Sequence, residues 1–113
     1  MIEVHKVWGK EIWIINCPEY CCKLLIVDAH SKSSLHKHIN KKETFYCLSG
    51  QVKLTVNDKI LNLSAPESEP VTILPGDLHR FEAVNINKSV LLEASTFHDD
   101  NDVVRLEPSE GAK

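Results

Sequence analysis

The chain of 113 residues lacks any concentration of positive charge, since 13 basic against 16 acidic side chains leave a formal net charge of -3. Binding nucleic acid through its phosphates needs a clustered basic excess, so no nucleic-acid partner is expected. Long hydrophobic runs are missing too. No apolar stretch exceeds about five residues, against the roughly twenty that carry a helix across a bilayer, so no membrane partner is expected either. The first ten residues are polar and charged, and no secretory signal is read there. A cytoplasmic location is therefore expected, with Cys17, Cys21, Cys22 and Cys47 as reduced thiols. There is no Gly/Ser linker, internal repeat, charge block or Gly-rich phosphate loop. Helical periodicity is nearly absent: no stretch keeps apolar residues at three- and four-residue spacing through three turns.

What recurs instead is a short β-branched or aromatic run followed by a turn signal. Such runs occupy 12–15, 23–28, 35–39, 44–48, 52–56, 60–63, 71–74, 81–84 and 89–94. Ser49-Gly50, Asn57-Asp58 and Pro75-Gly76 punctuate them as hairpins or tight connections. Many short strands at near-regular spacing predict an all-β single domain, a sandwich or barrel. Residues 64–70 read as a surface loop. The domain is expected to end at residue 106, with 107–113 as a frayed tail.

His36 and His38 stand two apart on a predicted strand, where alternation turns both imidazoles to one face. The pair is either a metal fork or two solvent-facing histidines. Glu43 follows five residues after His38, and Gly50 seven residues after that. Downstream, Leu74-Pro75-Gly76-Asp77-Leu78-His79 delivers a further histidine to the start of another strand.

These two segments resemble the paired signature motifs of the cupin superfamily, His-x-His-x4-Glu-x6-Gly and Pro-Gly-Asp-x-His. The likeness runs from about Lys23 to Ala94. It implies a cupin jelly-roll β-barrel in which His36, His38, Glu43 and His79 hold a divalent metal ion. Three neutral imidazoles and one carboxylate suit Mn, Fe, Zn or Ni, with open positions left for substrate. Two positions depart from the motifs. His30 stands where the first usually has glycine, and Ala83 where the second often has asparagine. Both concern local backbone geometry rather than ligation.

Further segments sharpen the resemblance: Trp8-Gly9-Lys10-Glu11-Ile12-Trp13, Lys23-Leu24-Leu25, His79-Arg80-Phe81, Leu92-Glu93-Ala94-Ser95-Thr96, and His98-Asp99-Asp100 with Asp102-Val103-Val104-Arg105. Together they are similar to small cupin sugar isomerases and to the C-terminal cupin half of bifunctional mannose-6-phosphate isomerase / mannose-1-phosphate guanylyltransferases. The nucleotidyltransferase half is absent from this sequence. The resemblance implies a metal-dependent aldose–ketose isomerase or epimerase acting on a sugar or sugar phosphate such as mannose-6-phosphate. It also implies a homodimer, with the apolar face of a short-stranded sheet supplying the contact.

Isomerisation through an enediolate needs a base within reach of the C2 proton, and Glu82, Glu93, Lys23 and His98 are candidates. Alternation from His79 turns Glu82 outward. The expected catalytic residues are Glu93, on the last barrel strand, and Lys23, which can bind a sugar hydroxyl or phosphate. The competing account makes Glu93 one half of a buried ion pair with Lys23 or Arg105. Arg105 otherwise closes the site or holds its segment, while Asp99, Asp100 and Asp102 read as a solvated loop. Arg80 reads as an exposed salt bridge or a phosphate contact. The Cys17-x3-Cys21-Cys22 spacing fits no zinc knuckle, and Cys47 is expected inside the barrel. Trp8 and Trp13 are expected to staple the N-terminal arm rather than stack on sugar. Two alternative functions stay open: an Fe-dependent dioxygenase with the same ligands, and a non-catalytic sugar-binding cupin.

Overall fold

The computed structural model describes residues 1–112. They form eleven strands: β1 (Ile2–Lys6), β2 (Gly9–Asn16), β3 (Cys21–Val27), β4 (Leu35–His38), β5 (Glu43–Ser49), β6 (Gln51–Val56), β7 (Lys59–Ser64), β8 (Val71–Ile73), β9 (His79–Ala83), β10 (Ser89–Ser95) and β11 (Val103–Glu107). A six-stranded sheet runs β1-β2-β3-β10-β5-β8 and faces a five-stranded sheet, β11-β4-β9-β6-β7. All pairings are antiparallel. The all-β jelly-roll expected from the sequence is the fold observed, and no helix is long and apolar enough to cross a membrane.

The period-two pattern decides which face closes on the core. Along β3, positions 21, 23, 25 and 27 are buried while those between are half-buried. The core gathers Leu25, Val27, Phe45, Cys47, Val52, Leu54, Phe81 and Leu91 between the sheets. Trp8 joins this core, edge-on to Phe81 at 4.9 Å between ring centroids, and also lines the cavity described below. Cys47 lies inside as expected, and all four cysteines are free thiols.

Tight backbone packing explains two glycines. Gly9 lies at φ +145°, and a Cβ there would sit 2.0 Å from the Ile26 carbonyl oxygen. Gly50, the last residue of the first motif, turns β5 into β6 at φ +80°, and a Cβ there would meet the Ser89 hydroxyl at 2.3 Å. Asn57-Asp58 closes the β6–β7 hairpin as expected, with Asn57 at φ +54°.

Two strands escaped the sequence reading. β1 and β11 are edge strands, and their alternating charged residues leave no apolar run to detect. β11 follows directly on the acidic loop and pairs with the histidine strand β4, setting Arg105 opposite His36. The segment expected to fray from residue 107 is held as far as Glu110, whose backbone exchanges two hydrogen bonds with Lys32. Arg80 secures the same segment. Its guanidinium donates to the Ser33 carbonyl at 2.9 Å, to Glu107 Oε1 at 2.9 Å and to the Pro108 carbonyl at 3.0 Å.

Candidate metal centre and substrate cavity

The short strand β4 places His36 and His38 on its inner face, and His79 begins β9 directly opposite His36. Glu43 begins β5 on the other sheet, so the four residues converge from both walls of the barrel. The three histidines offer ring nitrogens that all lie within 4.8 Å of one another. Glu43 Oε2 stands 3.1 Å from His38 Nε2 and 3.5 Å from His79 Nε2.

Each imidazole is oriented from behind by a carbonyl. Nδ1 of His36 lies 2.9 Å from the Ser34 carbonyl, that of His38 3.1 Å from the Asp102 carbonyl, and that of His79 2.9 Å from the Asp77 carbonyl. A carbonyl only accepts, so Nδ1 carries the proton and Nε2 keeps its lone pair for the interior. This is the arrangement by which an outer hydrogen bond sets the tautomer of a metal-ligating histidine.

The electrostatics match. Burial, reinforced by His79, pushes His36 down to about 3, so it is neutral at physiological pH. Burial alone would raise Glu43, but its contacts with His38 and His79 and the charge of Lys41 hold it well below the ordinary carboxylate value. His79 is raised against its burial by Glu43 and the Asp77 carbonyl. Glu43 Oε2 and His79 Nε2 are buried polar atoms without a hydrogen-bond partner among the described residues. Such orphans are rare and point to a missing ion or ligand. A neutral His36, an ionised Glu43 and two buried polar atoms without a hydrogen bond fit a divalent cation.

Beside this cluster opens a cavity of about 350 Å³, lined by His36, His38, Glu43, Lys23, Glu93 and His98 among others. Its floor on the six-stranded sheet is a register row, Trp13 opposite Lys23, Lys23 opposite Glu93, and Glu93 opposite Phe45. Lys23 and Glu93 are thus neighbours and both buried, at 1% and 4% exposure, yet they do not form the ion pair the sequence suggested. The Lys23 ammonium sits 3.5 Å from Glu11 Oε1 and 4.4 Å from the centre of the Trp13 ring. Glu93 turns instead to Lys41, with Nζ 2.6 Å from Oε2. Arg105 lines the same cavity. The Lys41 ammonium is the one charged partner of Glu93 Oε2 seen among the described residues.

Several residues of the site were not singled out from sequence. Lys41 is buried in the gap of the first motif, and burial is outweighed by Glu93 and Glu43 so that its ammonium is raised above the ordinary lysine value. Glu11 accepts the Trp13 indole hydrogen at 2.8 Å. Its carboxyl lies below the ordinary value because Lys23 and that hydrogen bond overcome the burial penalty. Trp13 itself, expected only to staple, is part of the cavity wall. Asp102, read as a solvated acid, is buried beneath the histidines. For Lys41 and Asp102 no local pattern gives the role, because their partners Glu93 and His38 are distant in sequence.

The model of the family described as mannose-6-phosphate isomerase C-terminal matches residues 1–108. The chain belongs to that family. This family member is 25% identical over 114 residues to a mannose-1-phosphate guanylyltransferase of Sinorhizobium fredii, an alignment covering 94% of the chain and 22% of the relative. It is 31% identical over 105 residues to mannose-1-phosphate guanylyltransferase 2 of Escherichia coli O157:H7, covering 91% and 21%. The chain therefore spans about a fifth of the length of these relatives. Among solved structures, the capsular polysaccharide assembling protein CapF of Staphylococcus aureus superposes with a TM-score of 0.83 at 22% identity, over 94% of this chain and 31% of that one. Streptomyces Pac13 with uridine gives 0.77 at 14% identity, over 94% and 84%. These two likenesses carry the fold alone.

Proposed function

We propose that the chain is a metal-dependent aldose–ketose isomerase or epimerase acting in the cytoplasm on a sugar or sugar phosphate such as mannose-6-phosphate. One observation carries the reading. Of the four buried side-chain polar atoms without a hydrogen bond among the described residues, Glu43 Oε2 and His79 Nε2 belong to the metal cluster and Glu93 Oε2 to the adjoining cavity wall. Two orphans of the ligand set beside a buried carboxylate on the cavity wall suit ion-assisted proton abstraction.

His36, His38, Glu43 and His79 would hold the ion. When bound, it supplies positive charge for the negative charge that develops on two adjacent sugar oxygens. Glu93 takes the proton from C2. The C–H electron pair becomes the C1–C2 double bond, and the carbonyl pair moves onto O1. Glu93 then returns the proton to C1 while the hydroxyl proton passes from O2 to O1, giving the ketose. Lys23 has no aligned hydrogen bond among the described residues, and its ammonium is placed to donate to a sugar oxygen. Phe45, Phe81 and Leu25 supply apolar lining that limits water around the reacting carbons.

The test is proton exchange. Manganese-loaded protein in D₂O is incubated with aldoses, ketoses and their phosphates, and C1/C2 deuteration is read by NMR. Exchange into one sugar is the expected result, and Glu93→Gln should lower its rate by about 10²–10⁴-fold with metal content unchanged. No exchange across the panel with metal bound, or full exchange in Glu93→Gln, overturns the mechanism. Oxygen uptake with iron would replace it by the dioxygenase.

A further inference from the structure

Glu93 has to present one oxygen to a carbon-bound proton, and nothing on its own sheet holds it there. Its register neighbours are Lys23, which is engaged with Glu11 and Trp13, and Phe45, which offers no donor. The contact it makes comes from outside the sheets, from Lys41 in the turn between β4 and β5. We infer that Lys41 is the positioning residue for Glu93, and that His98 in turn holds Lys41. The inference rests on the isomerase reading, which makes Glu93 the base.

The geometry is a chain of fixed contacts. Lys41 Nζ lies 2.6 Å from Glu93 Oε2 and 3.2 Å from His98 Nδ1. An ammonium only donates, so His98 Nδ1 accepts and the ring proton is on Nε2. That proton is donated to Asp100 Oδ1 at 2.7 Å. The His98 ring is further held edge-on against Trp13, with centroids 5.2 Å apart. Its backbone is tied at both ends to one side chain, Asn16, through contacts of 2.9 and 3.1 Å. The ammonium is thus bracketed by a rigid acceptor and by the carboxylate it orients. The 2.6 Å ion pair with the ammonium sets the place of the Glu93 carboxylate. A lone buried carboxylate free to rotate would lose the near-attack geometry on which proximity catalysis depends.

The experiment compares Lys41→Met, Lys41→Arg and His98→Phe with the wild-type protein. The last variant keeps a ring against Trp13 and removes the acceptor for Lys41 together with the donor to Asp100. Expected results are a kcat about 100-fold lower in Lys41→Met with KM within about threefold, partial recovery in Lys41→Arg, and about a tenfold lower kcat in His98→Phe, all with unchanged metal content. A Lys41→Met protein with wild-type kcat overturns the inference. So does one in which only KM or metal content changes, or an arginine variant no better than methionine. If Lys41→Met fails to fold, His98→Phe decides alone, and wild-type kcat in it overturns the inference. If the wild-type protein catalyses no exchange, the isomerase reading fails by itself. High-resolution crystal structures then test the positioning: a Glu93 carboxylate displaced in Lys41→Met and restored in Lys41→Arg supports it, and one that stays in place overturns it.

Discussion

Asp102 and His38 are coupled through two different groups of the same residue. The Asp102 carbonyl accepts the Nδ1 proton of His38 at 3.1 Å. Its carboxylate accepts the backbone N–H groups of Ile39, Asn40 and Lys41 at 3.1, 2.9 and 3.0 Å. One acid on the strand-entry loop of β11 therefore shapes the turn that leads to Lys41 and Glu43 and orients a metal-site histidine. Asp102→Ala removes the charge-assisted acceptors of three buried or half-buried N–H groups. The variant should lose about 2–4 kcal/mol of stability, and metal affinity should fall by about 10–100-fold. Denaturant unfolding and metal titration measure the two effects, and a variant with wild-type metal affinity would show that the turn holds its shape without the carboxylate.

A bound ion should stabilise the fold by mass action, since the ligands come from both sheets and are separated in the unfolded chain. At a free ion concentration 100 times the dissociation constant the gain is about 2.7 kcal/mol. Differential scanning calorimetry with and without Mn²⁺ should show a higher midpoint with the ion, reversed by chelator. Glu43→Gln keeps the shape and removes the charge, and should abolish most of the shift. An equal shift in that variant would place the ion elsewhere.

Metal-free protein should weaken in acid. His36 lies at about 3 against an ordinary value of 6.5, so between those limits the unfolded chain binds a proton that the folded chain refuses. Its contribution is present above 6.5 and is lost as pH falls. His98, lowered by burial and by Lys23 and Lys41, acts in the same sense. His79, raised above its ordinary value, contributes fully below 6.5 and loses its contribution only as pH rises through its folded value. From pH 7 to pH 5, His36 alone accounts for a loss of about 2 kcal/mol. Urea unfolding at the two pH values measures it, and His36→Phe should flatten the dependence.

The outer face of the six-stranded sheet is proposed to pair two copies of the chain. Ile12, Leu24, Leu92 and Tyr46 stand in register across four adjacent strands, on the opposite face from the buried row. Light scattering should give a dimer, and Leu24→Glu with Leu92→Lys should give a folded monomer. A wild-type monomer at micromolar concentration would remove the proposal.

The histidines were legible because their constraint is local. On a strand, spacing alone puts His36 and His38 on one face, and a turn motif announces His79. The same alternation placed Cys47 inward. The partner of Glu93 was not legible, because both lysines are equally basic in sequence and only packing gives Lys23 to Glu11 and Lys41 to Glu93. β1 and β11 were missed for a related reason: an edge strand carries charge on much of its length and is recognised by the strand it pairs with.

The sequence by itself determined the β class, the hairpin turns and the common face of His36 and His38, since each follows from spacings of a few residues and from the period of two. Only the tertiary structure decided which charges meet, that Asp102 supports the histidines, and that Trp13 and Lys41 belong to the cavity. Those outcomes depend on strands brought together across 50 to 80 residues of chain, where desolvation and distance select partners that no local pattern encodes.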